Sequence, residues 1–152
     1  MSNQTVKYLE QYLNREATDS LSPLGRWLRG IVREVEAGKL TVDFLVREEM
    51  TNPIGGLHGG AVAAMLDEAL GTAVFSLGTP HFYATVNLCI DFLGTAQLGE
   101  TVTVQTEVVR QGSNIVNVEG RVYNATGKLL TKASANLVRI KASIDAPALT
   151  GE

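Results

Sequence analysis

Apolar and polar residues alternate with a period of two along most of the second half of the chain, which predicts β-strands. The alternating segments are 84–93, 101–110, 114–123 and 128–140, with two earlier ones at 31–37 and 39–47. The connections at 111–113 and 124–127 are short enough for hairpins. Two strands, one long helix and four further strands, in that order, predict an α+β fold with an antiparallel sheet.

The predicted helix follows a glycine-rich turn in NPIGGLHGGAVAAMLDEALG, residues 52–71, and is expected to end near residues 77–80. A helix turns about 100° per residue, which divides its side chains into two faces. The face predicted to meet the sheet holds Ala61, Val62, Met65, Leu66, Ala69, Thr72 and Ala73. The opposite face holds Gly60, Ala63, Ala64, Asp67, Leu70, Gly71 and Val74. Since a helix that is apolar on all sides is a buried helix, we expect a second subunit to cover the opposite face.

Two adjacent carboxylates, Asp67 and Glu68, interrupt this apolar helix. A buried acid needs a partner or a chemical task, so Asp67 is either a structural acid with a neighbouring donor or a functional group. Glu68 lies about 100° further round the helix, where its longer side chain is expected to reach water at the edge. We therefore favour Asp67 as the functional acid.

His58, Gly59 and Gly60 are predicted to form the N-terminus of the helix, where free N–H groups and the helix dipole favour negative charge. This end is either an oxyanion hole, which a ligand approaches closely because the glycines lack side chains, or simply a flexible turn. Gly59 and Asp67 are separated by about 12 Å along the helix axis, too far to act on one carbonyl group. Composite sites are therefore predicted across a two-fold axis, with Asp67 supplied by the neighbouring subunit.

Length and charge narrow the class of protein. The 152 residues suit one domain over 1–152, with an N-terminal extension over about 1–24 and a C-terminal tail over about 143–152. The net charge of −3 and the scattered Lys and Arg argue against a nucleic-acid partner. The first residues, MSNQTVKYLE, lack the apolar core of a signal peptide, and no apolar run is long enough for a bilayer, so we expect a cytoplasmic protein without a membrane partner. Two histidines and the single Cys89 are too few for a zinc site, and no cofactor is expected.

The spacing Asn52…His58-Gly59-Gly60…Asp67, followed by ATVNLCIDFL and AQLGETV, resembles the hotdog-fold acyl-CoA thioesterases. Within them it is most similar to the PaaI-type branch of phenylacetic acid degradation, which includes the small mammalian acyl-CoA thioesterase. The resemblance covers roughly residues 25–140. It implies an antiparallel sheet wrapped around one long central helix, a homodimer with a continuous sheet, and a dimer of dimers.

The resemblance also implies roles for individual residues in the hydrolysis of acyl-CoA to a free acid and CoA. The Gly59 N–H polarises the thioester carbonyl, and Asn52 orients the water or the thioester. The partner's Asp67 acts as general base or nucleophile. Thr85 falls where the family often has a Ser or Thr that holds the water or the carboxylate, and His58 mainly shapes the turn. Considered without the family, Asn52 is a plausible loop residue and Thr85 an ordinary strand residue.

Substrate-binding residues are less clearly marked. Gly60 belongs to the helix N-terminus, and Arg110, Gly112 and Ser113 lie in a turn where the family often contacts pantetheine or nucleotide; a plain polar hairpin turn is the alternative. Three other functions are open: a non-catalytic acyl-CoA sensor, a hotdog dehydratase or hydratase, and a structural dimerisation domain. A DNA-binding appendage would support a sensor, and this chain is too short and too acidic to hold one. A hotdog dehydratase uses a catalytic His together with an acid, in different motifs.

Overall fold

The computed structural model describes residues 3–142, and the predicted tail from 143 lies outside them. The elements run in the order α1, α2, β1, β2, a 3-10 turn at Glu48–Met50, α3, β3, β4, β5 and β6. Their bounds are α1 Gln4–Glu10, α2 Pro23–Leu28, β1 Ile31–Glu36, β2 Lys39–Leu45, α3 Gly59–Phe75, β3 Phe82–Phe92, β4 Thr101–Gln111, β5 Ile115–Tyr123 and β6 Leu129–Ile140. The predicted α+β order of two strands, a long helix and four strands is confirmed.

One antiparallel sheet of six strands has the order β1-β2-β4-β5-β6-β3. The predicted hairpins at 111–113 and 124–127 join β4 to β5 and β5 to β6. The sheet packs around α3, which contacts β2, β3, β4, β5 and β6. This arrangement is the hotdog fold that the resemblance implies. It leaves the 11-residue strand β3 at one edge of the sheet.

The core lies between α3 and the inner face of the sheet, and strand alternation fills it as predicted. The buried side chains on the strands are Leu40, Val42, Phe44, Val102, Val104, Val116, Val118, Val122, Ala135 and Leu137. The helix contributes Val62, Met65, Leu66, Ala69, Leu70, Ala73 and Val74. Because Leu70 and Val74 are fully buried against this sheet, their prediction on the outward face is wrong. The curved sheet covers a wider arc of α3 than a flat sheet would, and the less buried arc is left to Ala63, Ala64, Asp67 and Gly71.

The N-terminal extension holds two short helices. The first, α1, ends at Glu10, because the chain then turns through a left-handed Asn14 and bridges β1 from Leu13 and Glu16. The second helix, α2, begins at Pro23, with the Ser22 hydroxyl capping it. The extension therefore packs on the main domain rather than projecting from it.

Candidate active site

The N-terminus of α3 presents one free backbone donor. His58 is the N-cap, and its Nδ1 accepts a hydrogen bond of 2.8 Å from the Gly60 N–H. Among residues 3–142 the Gly59 N–H has no acceptor within hydrogen-bonding distance. The 17-residue helix adds its dipole at this point, so the Gly59 N–H is a polarised donor, and Gly59 lines a groove.

Asn52 lies beside this donor and shapes the loop that leads to it. Its Oδ1 accepts hydrogen bonds from the N–H groups of Ile54 and Gly56, at 3.1 Å and 3.0 Å. Both bonds hold an Asx-type turn, so the loop-residue interpretation of Asn52 is part of the structure. The Nδ2 end of the same amide remains a donor. Asn52 and Gly59 line one groove of about 240 Å³ between the loop, α3 and β3.

Asp67 lies two turns further along α3 and has a hydroxyl partner. The Thr85 Oγ1 on β3 donates a hydrogen bond of 2.7 Å to Asp67 Oδ1. Strict alternation along 84–93 would place Thr85 on the same strand face as Cys89, but the two residues lie on opposite faces. A β-bulge at Val86 shifts the register, so Thr85 pairs with the inward-facing Leu137 and shares the helix side of the sheet.

A cavity of about 630 Å³ opens beside Asp67 and Thr85. It lies between α3, the inner face of the sheet and the N-terminal extension, and its walls are mostly apolar and aromatic. The extension contributes Tyr8 and Tyr12, whose hydroxyls form a hydrogen bond of 2.9 Å. Burial raises the pKa of Tyr8 above its usual value, so this phenol stays neutral at physiological pH.

Glu68 also lines this cavity, which contradicts its prediction as an edge residue that reaches water. Its Oε2 accepts a hydrogen bond of 2.9 Å from the Ser22 hydroxyl at the N-terminus of α2. The α2 segment covers the side chain, and burial raises the pKa of the Glu68 carboxyl, with a smaller contribution from the negative charge of Asp67. Sequence reasoning missed the contact because Ser22 and Glu68 lie 46 residues apart and no local pattern pairs them.

We expect Glu68→Gln to stabilise the fold at neutral and higher pH. The amide oxygen keeps the hydrogen bond from Ser22, while the cost of a half-buried charge is removed. Where folding raises the pKa of a carboxyl, the protein loses stability as the pH rises through that raised pKa. The stability gained by Glu68→Gln is therefore present above the folded-state pKa and vanishes below the pKa of Glu68 in the unfolded chain. Thermal unfolding should show a Tm gain of about 2 °C near pH 8 that shrinks towards about pH 4. An equal gain at both pH values would contradict the assigned cause.

The two groups predicted to act together lie in different spaces of the same chain. The groove with Asn52 and Gly59 shares no lining residue with the cavity that holds Asp67 and Thr85. Gly59 and Asp67 are eight positions apart in α3, which corresponds to about 12 Å of axial rise. Each chain thus holds the Gly59 N–H and the Asp67 carboxylate in two separate spaces.

The other predicted binding residues stay apart from both spaces. The Gly60 N–H donates to His58 Nδ1, so it is not free to donate to a substrate, as the prediction for Gly60 would require. Arg110, Gly112 and Ser113 lie at the β4–β5 hairpin and line neither the groove nor the cavity. The hairpin is at the opposite end of β4 from the Gly59 loop, which contacts the segment before β4 through a bridge between Gly56 and Gln97.

Two absences in the described residues concern metal ions and membranes. Residues 3–142 contain no group of three or more His, Cys, Asp or Glu side chains arranged to hold a metal ion. Within the same described segment no helix has the length and apolar character needed to cross a membrane.

A hotdog sheet therefore wraps a helix that begins at Gly59 with a free N–H and carries, two turns further on, an Asp67 that accepts a hydrogen bond from Thr85. The chain belongs to the Thioesterase superfamily, whose family profile matches residues 54–131. Human acyl-coenzyme A thioesterase 13 is 32% identical over 96 residues, which cover 62% of this chain and 69% of that protein.

Solved structures agree with this assignment. The phenylacetic acid degradation-related protein of Ralstonia eutropha JMP134 is 29% identical with a TM-score of 0.75, over 90% of this chain and 99% of that one. The PaaI protein from the E. coli phenylacetic acid degradation operon has a TM-score of 0.81 over 95% of this chain and 99% of its own, and at 20% identity it shows the shared fold alone. The resemblance to the PaaI-type branch is confirmed.

Proposed function

We propose that the protein hydrolyses acyl-CoA thioesters to a free carboxylic acid and CoA, at sites that two subunits build together. The observation that carries this proposal is the separation of the two half-sites, with the free Gly59 N–H in one space and the Thr85-bound Asp67 in another. An antiparallel pairing of two α3 helices brings the Gly59 end of one to the Asp67 region of the other. The acyl-coenzyme A thioesterase among the relatives supports the choice of thioester.

The chemistry follows from these groups. The Gly59 N–H and the helix dipole stabilise the carbonyl oxygen as negative charge develops on it. The partner's Asp67 either removes a proton from an attacking water or attacks the carbonyl carbon itself. In the first route an O–C bond forms and the C–S bond breaks. The proton then passes from the partner's Asp67 to the departing sulfur, so the products are the acid and the thiol. In the second route the carboxylate forms an anhydride with the acyl group as the C–S bond breaks and CoA leaves as the thiolate. Water then hydrolyses the anhydride to the free acid and the Asp67 carboxylate, and the proton released goes to the thiolate.

Asn52 and Thr85 act as positioning residues in this scheme. The Asn52 Nδ2 is a donor for the thioester oxygen or the water, because its oxygen is already engaged in the loop. Thr85 fixes one oxygen of Asp67 and leaves the other to accept a proton. His58 sets the turn by capping Gly60. Residues Gly60, Arg110, Gly112 and Ser113 remain candidates for contacts with the CoA part, supplied across subunits.

The edge strand β3 supports the proposed assembly. Sheet edges in stable proteins are covered or paired, and β3 presents an 11-residue edge with Val86 62% exposed. Pairing of β3 with its copy would extend the sheet through a homodimer and place the small residues Ala63, Ala64 and Gly71 of α3 at the seam. A dimer of dimers in the cytoplasm completes the proposal.

Thiol release from a panel of short, medium, long and aromatic acyl-CoAs tests the function. We expect release of one thiol per acid formed, with at least one class turned over at the rates of ordinary enzymes, about 1 s⁻¹ or faster. A thiol-reactive dye gives the rate, and mass spectrometry identifies the acid. Tight binding without thiol release across the panel would identify a sensor. Formation of an enoyl-CoA from a 3-hydroxyacyl-CoA would identify a dehydratase.

A further inference from the structure

The cavity beside Asp67 has an unusual charge balance. Its lining includes two carboxylates, Asp67 and Glu68. Among residues 3–142, none of the Lys, Arg or His side chains lines it. The other walls are apolar, aromatic, glycine or hydroxyl-bearing. Negative charge in this cavity therefore meets no cationic side chain among the described residues that line it.

Glu68 is held in place on the wall of the cavity. The Ser22 hydroxyl donates to its Oε2, and the same Ser22 oxygen accepts a hydrogen bond of 3.1 Å from the Gly25 N–H. A Cβ atom at Gly25 would lie only 2.5 Å from Glu68 Oε1, so the carboxylate packs directly against the backbone of α2. The hydrogen bond from Ser22 and the packing against α2 hold the Glu68 carboxylate at the wall of the cavity.

We propose that Glu68 is a specificity-determining residue that makes the acyl cavity reject acyl groups ending in a carboxylate. The inference rests on the proposed function, since it takes this cavity as the space for the acyl group. An uncharged acyl chain can pack on the apolar and aromatic walls and carries no charge for Glu68 to repel. A terminal carboxylate would instead be desolvated beside a fixed like charge, where the low effective dielectric constant makes repulsion strong.

We expect strong discrimination against acyl groups that end in a carboxylate, because desolvation and repulsion by Glu68 both act on that carboxylate. Two like charges several ångströms apart at an effective dielectric constant near 20 lower binding by about tenfold to a hundredfold. Asp67 adds repulsion as well, but it faces every substrate at the reacting carbonyl. Glu68 lies next to it against the α2 wall, where the acyl chain passes, so it adds to the repulsion that a second carboxylate on the substrate meets.

A purely structural role for Glu68 is the alternative, since it also joins α2 to α3. Two variants separate the roles. Glu68→Gln keeps an oxygen that accepts from Ser22 but removes the charge, whereas Glu68→Asp keeps the charge. If Glu68 serves only to join the helices, selectivity should not follow the charge of the variant. Glu107→Gln is the matched control, because Glu107 is an exposed residue outside the cavity, 3.5 Å from Lys39.

The test compares kcat/KM for hexanoyl-CoA and adipyl-CoA, which differ by a terminal carboxylate on chains of equal length. We expect wild type, Glu68→Asp and Glu107→Gln to favour hexanoyl-CoA strongly, and Glu68→Gln to raise the ratio of adipyl to hexanoyl by about tenfold or more. Equal use of both substrates by wild type, or an unchanged ratio in folded Glu68→Gln, would overturn the inference alone. Absence of thiol release by wild type from every acyl-CoA would overturn the proposed function, and the inference with it.

Discussion

Replacement of Asp67 by Asn should reduce kcat for thiol release by about a thousandfold, within the range typical of a lost general base or nucleophile. The amide has the shape of the carboxyl group and its oxygen still accepts from Thr85, so the fold and the cavity are retained. What the amide cannot do at neutral pH is take a proton from water or form a bond to the carbonyl carbon. The measurement is the initial rate of thiol release at saturating substrate.

The matched control for this variant is Asp91→Asn. Asp91 lies on the same strand as Thr85, is exposed, and faces away from α3 with Lys132 at 3.9 Å. It should retain wild-type kcat. Wild-type activity in a folded Asp67→Asn protein, checked by an unchanged Tm, would refute the role assigned to Asp67.

Mixing two inactive variants, Gly59→Val and Asp67→Asn, should restore activity. A Cβ at Gly59 would meet only the Phe92 ring, at 3.4 Å, so the backbone has room for a side chain there, and the methyl groups of Val should obstruct the groove that Gly59 lines. In a mixed dimer one site receives both substitutions and the other receives neither. With free exchange, half the dimers are mixed, and the recovered activity should be about a quarter of wild type.

The control for subunit mixing is the pair Asp67→Asn and Thr85→Val. Asp67 and Thr85 are joined by a hydrogen bond within one chain, so they belong to the same half-site. A mixed dimer of these variants has a defect in both sites and should recover no activity beyond that of Thr85→Val alone. If Gly59→Val and Asp67→Asn subunits exchange fully and recover nothing, each site is built within one chain.

Much of the fold was predictable because it follows from periodicities that the sequence carries locally. Alternation fixed the inward residues of β2, such as Leu40, Val42 and Phe44, and short polar connections marked the hairpins. The start of α3 at Gly59 followed from glycines placed before an apolar run. These features depend on neighbours a few residues apart, so one sequence is sufficient to detect them.

The predictions that were wrong, and the contact that was missed, depend on tertiary contacts that no local sequence pattern records. A single bulge at Val86 reversed the face of Thr85. The curvature of the sheet buried Leu70 and Val74. The position of Glu68 was decided by α2, which reaches α3 from 46 residues away. In each case tertiary geometry overrides a pattern that is correct for a straight strand, a flat sheet or an isolated helix.

The oxygen and the nitrogen of the Asn52 side-chain amide have different roles, so one substitution can remove one role and keep the other. Its oxygen is engaged by two backbone N–H groups that shape the loop, and its nitrogen is the part left for a ligand. Asp offers an equivalent oxygen for the loop but no N–H, so a change to Asp would preserve the architecture and remove the donor in a single step. A lineage that abandoned the chemistry while keeping the scaffold has a short mutational path here, since one nucleotide change separates the codons of Asn and Asp.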